Sequence, residues 1–146
     1  MNNSKFPDLN AEAGLLSEVP LALYIHIPWC VRKCPYCDFN SHEKKGELPE
    51  QAYIEAMLED LDQDLEFIQG RELQSIFIGG GTPSLFSPQA YQTLFKELRA
   101  RLHFAPDIEI TLEANPGTVE QARFDGYRHA GINRLSIGVQ SFDAKQ

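Results

Sequence analysis

Apolar positions along the chain follow two alternating patterns: short runs typical of buried strands, and longer stripes at helical spacing. The first run, Leu21–Ile27, stops at Pro28 and predicts a strand. Three further strands are predicted at residues 74–78, 108–112 and 132–138. Residues 1–20 show no sustained period, so we expect them to form a flexible lead-in to a domain that occupies residues 21–146.

Helices are predicted in the intervals between these strands. Residues 49–69 form the first, which Gly70 can cap, with a stripe made of Ile54, Met57, Leu58, Leu61, Leu65 and Ile68. The second helix is predicted to start at Ser87 and Pro88, since serine is favoured as the cap and proline in the first turn. Its apolar stripe is made of Tyr91, Leu94, Phe95, Leu98 and Leu102. Thr118 and Gln121 form a capping box for a third helix that ends near Gly131.

Strand and helix therefore alternate three times, and a fourth strand follows. This alternation predicts an α/β fold with a parallel sheet and right-handed crossovers, built as a barrel or as an open sheet. A fourth strand without a following helix would leave one sheet face and one edge uncovered. We therefore expect the chain to be the N-terminal piece of a larger protein, and to be poorly soluble or oligomeric when expressed alone.

Composition narrows the class of protein. The chain has 146 residues, of which 42% are hydrophobic and 23% charged, and its net charge is −8. These fractions are typical of a soluble globular domain, and the acidic balance argues against a nucleic-acid partner. Neither an apolar run long enough to span a membrane nor a signal peptide is visible, so we expect a cytoplasmic location.

The chain has three cysteines, Cys30, Cys34 and Cys37, and all of them fall within eight residues. An odd number of closely spaced cysteines is a poor disulfide framework and indicates a metal site in a reducing compartment. Thiolates at C-x-x-x-C-x-x-C spacing can hold three corners of a four-iron, four-sulfur cubane. The fourth iron is then left open, and a small molecule can chelate it.

The other candidate groups also follow predicted strands. The run Gly79-Gly80-Gly81-Thr82-Pro83 follows the second strand, Glu113 ends the third and Gln140 follows the fourth. Ligands bind at this edge of parallel sheets, and a run of glycines allows close approach to the backbone. Each feature also has a simpler interpretation, a tight turn for the glycines and a solvated position for Glu113 and Gln140. The Walker A lysine is missing, which disfavours a nucleoside-triphosphate loop.

A zinc site is the alternative for the cysteines. It would use His26 or His42 as the fourth ligand of a Cys3His set. Zinc sites usually supply two separated pairs of ligands, and the sequence has no second pair. His26 alternates with apolar residues on the first strand and is expected to be a core or pocket side chain. His42, His103 and His129 are expected at the surface.

Longer motifs carry a family resemblance. The run Leu23-Tyr24-Ile25-His26-Ile27-Pro28-Trp29-Cys30, followed by Cys34-Pro35-Tyr36-Cys37, resembles the radical S-adenosylmethionine (SAM) superfamily. The glycine run and the segment Asn133-Arg134-Leu135-Ser136-Ile137-Gly138-Val139-Gln140-Ser141-Phe142 resemble the group that contains oxygen-independent coproporphyrinogen III oxidases and HemW-type heme chaperones. The resemblance implies the N-terminal half of a partial (β/α)6 TIM-like barrel, with three βα units and a fourth strand.

The resemblance also implies cofactors and roles. Cys30, Cys34 and Cys37 would ligate a [4Fe-4S] cluster whose open iron binds SAM through its amino and carboxylate groups, and one electron would cleave SAM to a 5′-deoxyadenosyl radical. No catalytic residue is assigned. By position, the SAM contacts would be Tyr24, Tyr36, Gly80, Gly81, Thr82, Glu113 and Gln140.

One position separates the two branches of this group. The oxidase branch has the motif C-x-x-x-C-x-x-C-x-C. In this chain Phe39 stands at the position of the last cysteine. The resemblance therefore implies a heme chaperone that binds heme and passes it to acceptor proteins, which could include membrane-associated ones. The heme contacts are expected beyond residue 146. The oxidase of porphyrin biosynthesis, which decarboxylates propionates of coproporphyrinogen III, is the alternative, and a zinc-stabilised interaction module is the third hypothesis.

Overall fold

The computed structural model describes residues 19–143, except for the side chains of residues 118–121. Most of the predicted lead-in, and the side chains of the predicted capping box at Thr118 and Gln121, therefore lie outside the described part. Within it, no helix is both long and apolar enough to cross a membrane.

The strands and helices alternate as the sequence predicts. The strands are β1 (Leu21–Ile27), β2 (Trp29–Cys30), β3 (His42–Glu43), β4 (Leu73–Gly80), β5 (Phe104–Ala114) and β6 (Arg134–Ile137). The helices are α1 (Glu50–Ile68), α2 (Pro88–Arg101) and α3 (Thr118–Ala130), and a 3₁₀ turn covers Pro83–Leu85. Strand β1 has the predicted bounds, β4 and β5 extend beyond them at both ends, and the short strands β2 and β3 were not predicted.

The helix boundaries follow local capping chemistry. At α2, the Ser87 hydroxyl accepts a hydrogen bond from the Ala90 amide at 3.1 Å, and Pro88 occupies the first turn, as predicted. Helix α3 ends at Gly131, which has a left-handed φ of 115°. Helix α1 ends at Ile68, one residue before the predicted end of the helix at residue 69. Its cap is Gln69, which takes the left-handed conformation, and not the predicted Gly70.

Four parallel strands form the main sheet in the order β1-β4-β5-β6. This order repeats the chain order, so each new strand is added at the same edge. Crossovers of one hand then bring all three helices to one face of the sheet, where neighbouring helices contact each other. This is the winding of a (β/α) barrel, and it selects the barrel over the doubly wound open sheet.

The core fills the space between the helices and the sheet. Alternate residues of β1, β4 and β5 point into it, and so do the predicted stripes of α1 and α2. The opposite face of the sheet carries exposed side chains, among them Tyr24 and Phe77, whose rings stack with centroids 6.3 Å apart. Further along this face, Arg134 pairs with Glu109 at 3.4 Å. This polar and aromatic face corresponds to the interior of a barrel.

Candidate functional site

A cavity of about 300 Å³ opens where the main strands end at their carboxyl side. Parallel α/β folds place ligands at this edge, as expected from the sequence. Arg32, Phe39, Asn115 and Ser136 also contribute to its wall. Nine of the ten predicted site residues line it, namely Cys30, Cys34, Tyr36, Cys37, Gly80, Gly81, Thr82, Glu113 and Gln140.

The cysteine loop leaves the sheet after β1 and closes on itself through backbone hydrogen bonds. The His42 amide donates to the Pro28 carbonyl at 2.6 Å, and the Lys44 amide donates to the Cys30 carbonyl at 2.8 Å. These bonds form the parallel pair of β2 and β3, which fixes both ends of the loop. Cys30 and Cys37 are half-buried, Cys34 is exposed, and none of the three forms a disulfide.

The glycine run continues β4 and is hydrogen-bonded directly to the start of the cysteine loop. The Gly81 amide donates to the Ile27 carbonyl, and the Thr82 amide to the Trp29 carbonyl, both at 2.8 Å. A Cβ on Gly81 would lie 2.9 Å from the Cys30 Sγ and 2.7 Å from the Trp29 carbonyl oxygen. Only glycine therefore allows this backbone to pass so close to the first cysteine.

Gly80 is required for two reasons. Its φ of 115° is favourable only for glycine, and a Cβ would lie 2.8 Å from the Ile27 carbonyl oxygen. The same Cβ would lie 2.8 Å from Cε1 of His26. The glycine run is therefore more than a tight turn, because it fits against both the first strand and the imidazole beside it.

Two buried tyrosines support the turn that follows the glycines. The Tyr91 hydroxyl donates to the Pro83 carbonyl at 2.7 Å, and the Tyr127 hydroxyl contacts the carbonyls of Ser84 and Phe86 at 2.7 and 3.0 Å. Burial raises the pKa of Tyr91 well above its usual value, which keeps its hydroxyl protonated as a donor. The sequence identified Tyr91 as a core residue, but it gave no sign that its hydroxyl supports the site.

Glu113 and Tyr24 lie on either side of Gly79. A Cβ at that glycine would come within 2.9 Å of Glu113 Oε2 and 3.2 Å of Tyr24 Cε2. Burial, with the nearby charge of Glu113, raises the pKa of Tyr24. Tyr24 is the one predicted site residue that does not line the cavity, and it lies beside the wall that Glu113 forms.

Tyr36 and Gln140 both line the cavity. The pKa of the exposed Tyr36 hydroxyl is raised, mainly by a hydrogen bond to Cys34 and to a smaller extent by electrostatic repulsion from the same thiol group. Gln140 has a left-handed φ of 64°, which is uncommon for a residue with a side chain. Its Nε2 donates to the Gly138 carbonyl at 3.4 Å.

Trp29 lies between the cysteine loop and the glycine run, and its ring packs against the hydrophobic core. Its ring makes an edge contact with Tyr53 at a centroid distance of 4.8 Å and stacks on Phe86 at 5.8 Å. The next residue is Cys30, and the Trp29 carbonyl accepts the Thr82 amide. This aromatic contact joins the cysteine loop to the hydrophobic core.

The three thiols are compatible with a cluster. Within residues 19–143, no three His, Cys, Asp or Glu side chains are grouped closely enough to hold one metal ion. A cubane is larger, and each thiolate binds a different iron, so its ligands need not converge on one point. Both ring nitrogens of His26 already have partners, the Tyr24 hydroxyl and the Asn40 carbonyl, which disfavours His26 as a zinc ligand.

The sequence is similar to those of known proteins. The sequence profile of the radical SAM superfamily matches residues 24–145. The heme chaperone HemW of Escherichia coli is 64% identical over 127 residues, which cover 87% of this chain and 34% of that protein. The heme chaperone HemW of Haemophilus influenzae is 62% identical and covers 85% of this chain and 33% of its own length. The chain thus spans about a third of the length of the curated relatives it matches.

A solved structure shares the fold. The radical SAM enzyme coproporphyrinogen III oxidase (HemN) from Escherichia coli superposes with a TM-score of 0.79 and 31% sequence identity. The superposition covers 97% of this chain and 33% of the oxidase.

Proposed function

The chain belongs to the radical SAM superfamily, and from this premise we propose that it forms the N-terminal part of the radical SAM core of a HemW-type heme chaperone. The observation that carries the proposal is the identity of 64% to such a chaperone over 127 residues, which cover 87% of this chain. Phe39 supports the same choice, since it lines the cavity where the oxidase motif has a further cysteine.

Three thiols would hold the cluster. Cys30 lies against Gly81 of the glycine run, Cys30 and Cys37 are half-buried and Cys34 is exposed, and all three line the cavity. A [4Fe-4S] cluster supplies one-electron chemistry toward a ligand on its open iron. Because the chain has no fourth cysteine, one iron of such a cluster would have no thiolate from this chain and would be available to a ligand in the cavity that the cysteines line.

Groups that would suit SAM line the cavity wall. Gly80 and Gly81 remove side chains from the region next to Cys30, so an amino-acid moiety can lie against the backbone. The carboxylate of Glu113 can accept hydrogen bonds from an ammonium group or a ribose hydroxyl, and the Gln140 amide can donate or accept. Tyr36 offers its backbone and ring at the rim, where we place the adenine.

The alternative is an oxygen-independent coproporphyrinogen III oxidase, which the similarity of fold to the oxidase structure favours. We rank it second, because Phe39 cannot supply the thiol that the oxidase motif has at this position. A cytoplasmic location suits free thiols that bind a cluster. Heme and heme-accepting proteins would be the partners.

We expect the full-length protein that carries this chain to bind heme and to transfer it to an apo-acceptor. The test mixes the heme-loaded, cluster-reconstituted protein with an apo-cytochrome under anaerobic conditions, and follows the Soret band of the separated acceptor. Bovine serum albumin loaded with heme is the control for passive release. In parallel, we expect no conversion of coproporphyrinogen III in the presence of SAM and a reductant.

Transfer no faster than from albumin would contradict the chaperone assignment. Turnover of coproporphyrinogen III would replace it with the oxidase. Binding of heme by itself decides nothing, because apolar pockets take up heme without a function.

A further inference from the structure

We propose that His26 and Lys33 are positioning residues that clamp the end of the cysteine loop against the glycine run. Together they bind three successive backbone carbonyls, those of Phe39, Asn40 and Ser41. The inference rests on the proposed function only in taking this loop as the cluster-binding loop. The clamp itself is a property of the polypeptide and can be tested without cofactor.

His26 forms the inner half of the clamp. Its Nε2 lies 2.7 Å from the Asn40 carbonyl oxygen, which can only accept, so Nε2 carries the proton. In the neutral ring Nδ1 is then an acceptor, and the Tyr24 hydroxyl lies 3.0 Å from it. One imidazole therefore connects the first strand to a loop residue fourteen positions later, in a defined tautomer.

Lys33 forms the outer half. It lies inside the loop, between the first and second cysteines, and its ammonium group donates to the Phe39 carbonyl at 3.4 Å and to the Ser41 carbonyl at 3.2 Å. These contacts cross the loop from one side to the other. They hold the segment after Cys37 next to the segment before Cys34, which limits how far the thiols can separate.

The clamp also couples the two halves of the site. The His26 ring lies against Gly80, where an added Cβ would be 2.8 Å from Cε1 and 2.9 Å from Nδ1. The same ring binds Asn40, which directly follows Phe39 of the cavity wall. A shift of the imidazole would therefore move the glycine run and the loop together, so the cluster ligands and the ligand pocket are aligned by one side chain.

The experiment compares backbone amide exchange in the cluster-free, full-length protein for four variants and two controls. His26→Leu and Lys33→Met remove the donors, whereas His26→Gln and Lys33→Arg retain a donor at a similar reach. His103→Leu and Lys45→Met alter exposed residues of the same type elsewhere. In the donor-less variants we expect the amides of Cys37, His42 and Lys44 to exchange about tenfold faster, while the β4–β5 pairing is unchanged.

Rescue and a spectroscopic readout complete the test. His26→Gln and Lys33→Arg should restore most of the protection, and after reconstitution the SAM-dependent change in the cluster's EPR spectrum should weaken in His26→Leu and return in His26→Gln. Unchanged exchange in both donor-less variants would overturn the proposal. So would equal loss of protection in His26→Gln and His26→Leu, because the volume of the ring would then matter and not its hydrogen bond. Neither outcome depends on heme transfer.

Discussion

Replacing Cys30, Cys34 or Cys37 by alanine is expected to abolish the iron–sulfur cluster. The three cysteines are the only ones in the chain and line the same cavity, so no other thiol of this chain can substitute. Anaerobic reconstitution of the full-length protein should give about four irons and four sulfides per chain, with broad brown absorption. In each single variant, iron, sulfide and this absorption should fall to background.

Ser41→Ala is the matched control, since it removes a similar volume at the end of the same loop. Ser41 is 2% exposed, and its hydroxyl has no hydrogen-bond partner within the described part of the chain. Its loss should leave both the fold and the cluster intact. A cysteine variant that retains full iron would contradict the assigned ligand, and stoichiometric zinc without iron in the unmodified protein would contradict the cluster itself.

Exchanging Gly80 for alanine is expected to eliminate the response to SAM. The new Cβ would lie 2.8 Å from the Ile27 carbonyl oxygen and from His26 Cε1, so the backbone or the imidazole must move. The left-handed φ adds a cost of about 1 kcal/mol. SAM added to the reduced, reconstituted protein should change the EPR spectrum of the wild type, and this change should be lost in Gly80→Ala.

Gly131→Ala is the control that separates the two effects of Gly80→Ala, the backbone strain from a positive φ and the steric crowding by the new Cβ. Gly131 has the same φ of 115°, but a Cβ there meets no atom within 4 Å. This variant should be destabilised by a similar φ penalty and should still respond fully to SAM. Equal responses in the two alanine variants would show that the space at Gly80 has no part in binding SAM.

The fold could be predicted closely wherever one residue type determines a boundary. Pro28 ends β1 at the predicted residue, Ser87 caps α2, and Gly131 closes α3. Proline and glycine each favour a particular backbone conformation, and serine supplies an acceptor for a free amide of the first turn. The extra residues Gly79 and Gly80 of β4 could not be predicted, because they have no side chain to extend the apolar pattern, although they pair with His26 and Ile27 of β1. In β5, Pro106 interrupts the apolar pattern before the predicted start at Ile108.

The site could be predicted where it follows from strand order. The rule that ligands bind at the carboxyl edge predicted eight of the residues that line one cavity, and the family resemblance added Tyr36. Contacts made by backbone carbonyls escaped prediction, because a sequence does not show which carbonyl a distant side chain will reach. The hydrogen bonds of His26 to Asn40, of Lys33 to Ser41 and of Tyr127 to Ser84 are of this kind.

The position of Trp29 gives the chain an internal optical reporter. It is the only tryptophan in the chain, and it is held against Phe86 and Tyr53 directly beside the first cysteine. An excited indole close to a broadly absorbing chromophore loses its energy to that chromophore instead of emitting. Fluorescence from Trp29 should therefore be bright in the metal-free protein and dim as iron and sulfide assemble, so the filling of the loop can be followed in real time.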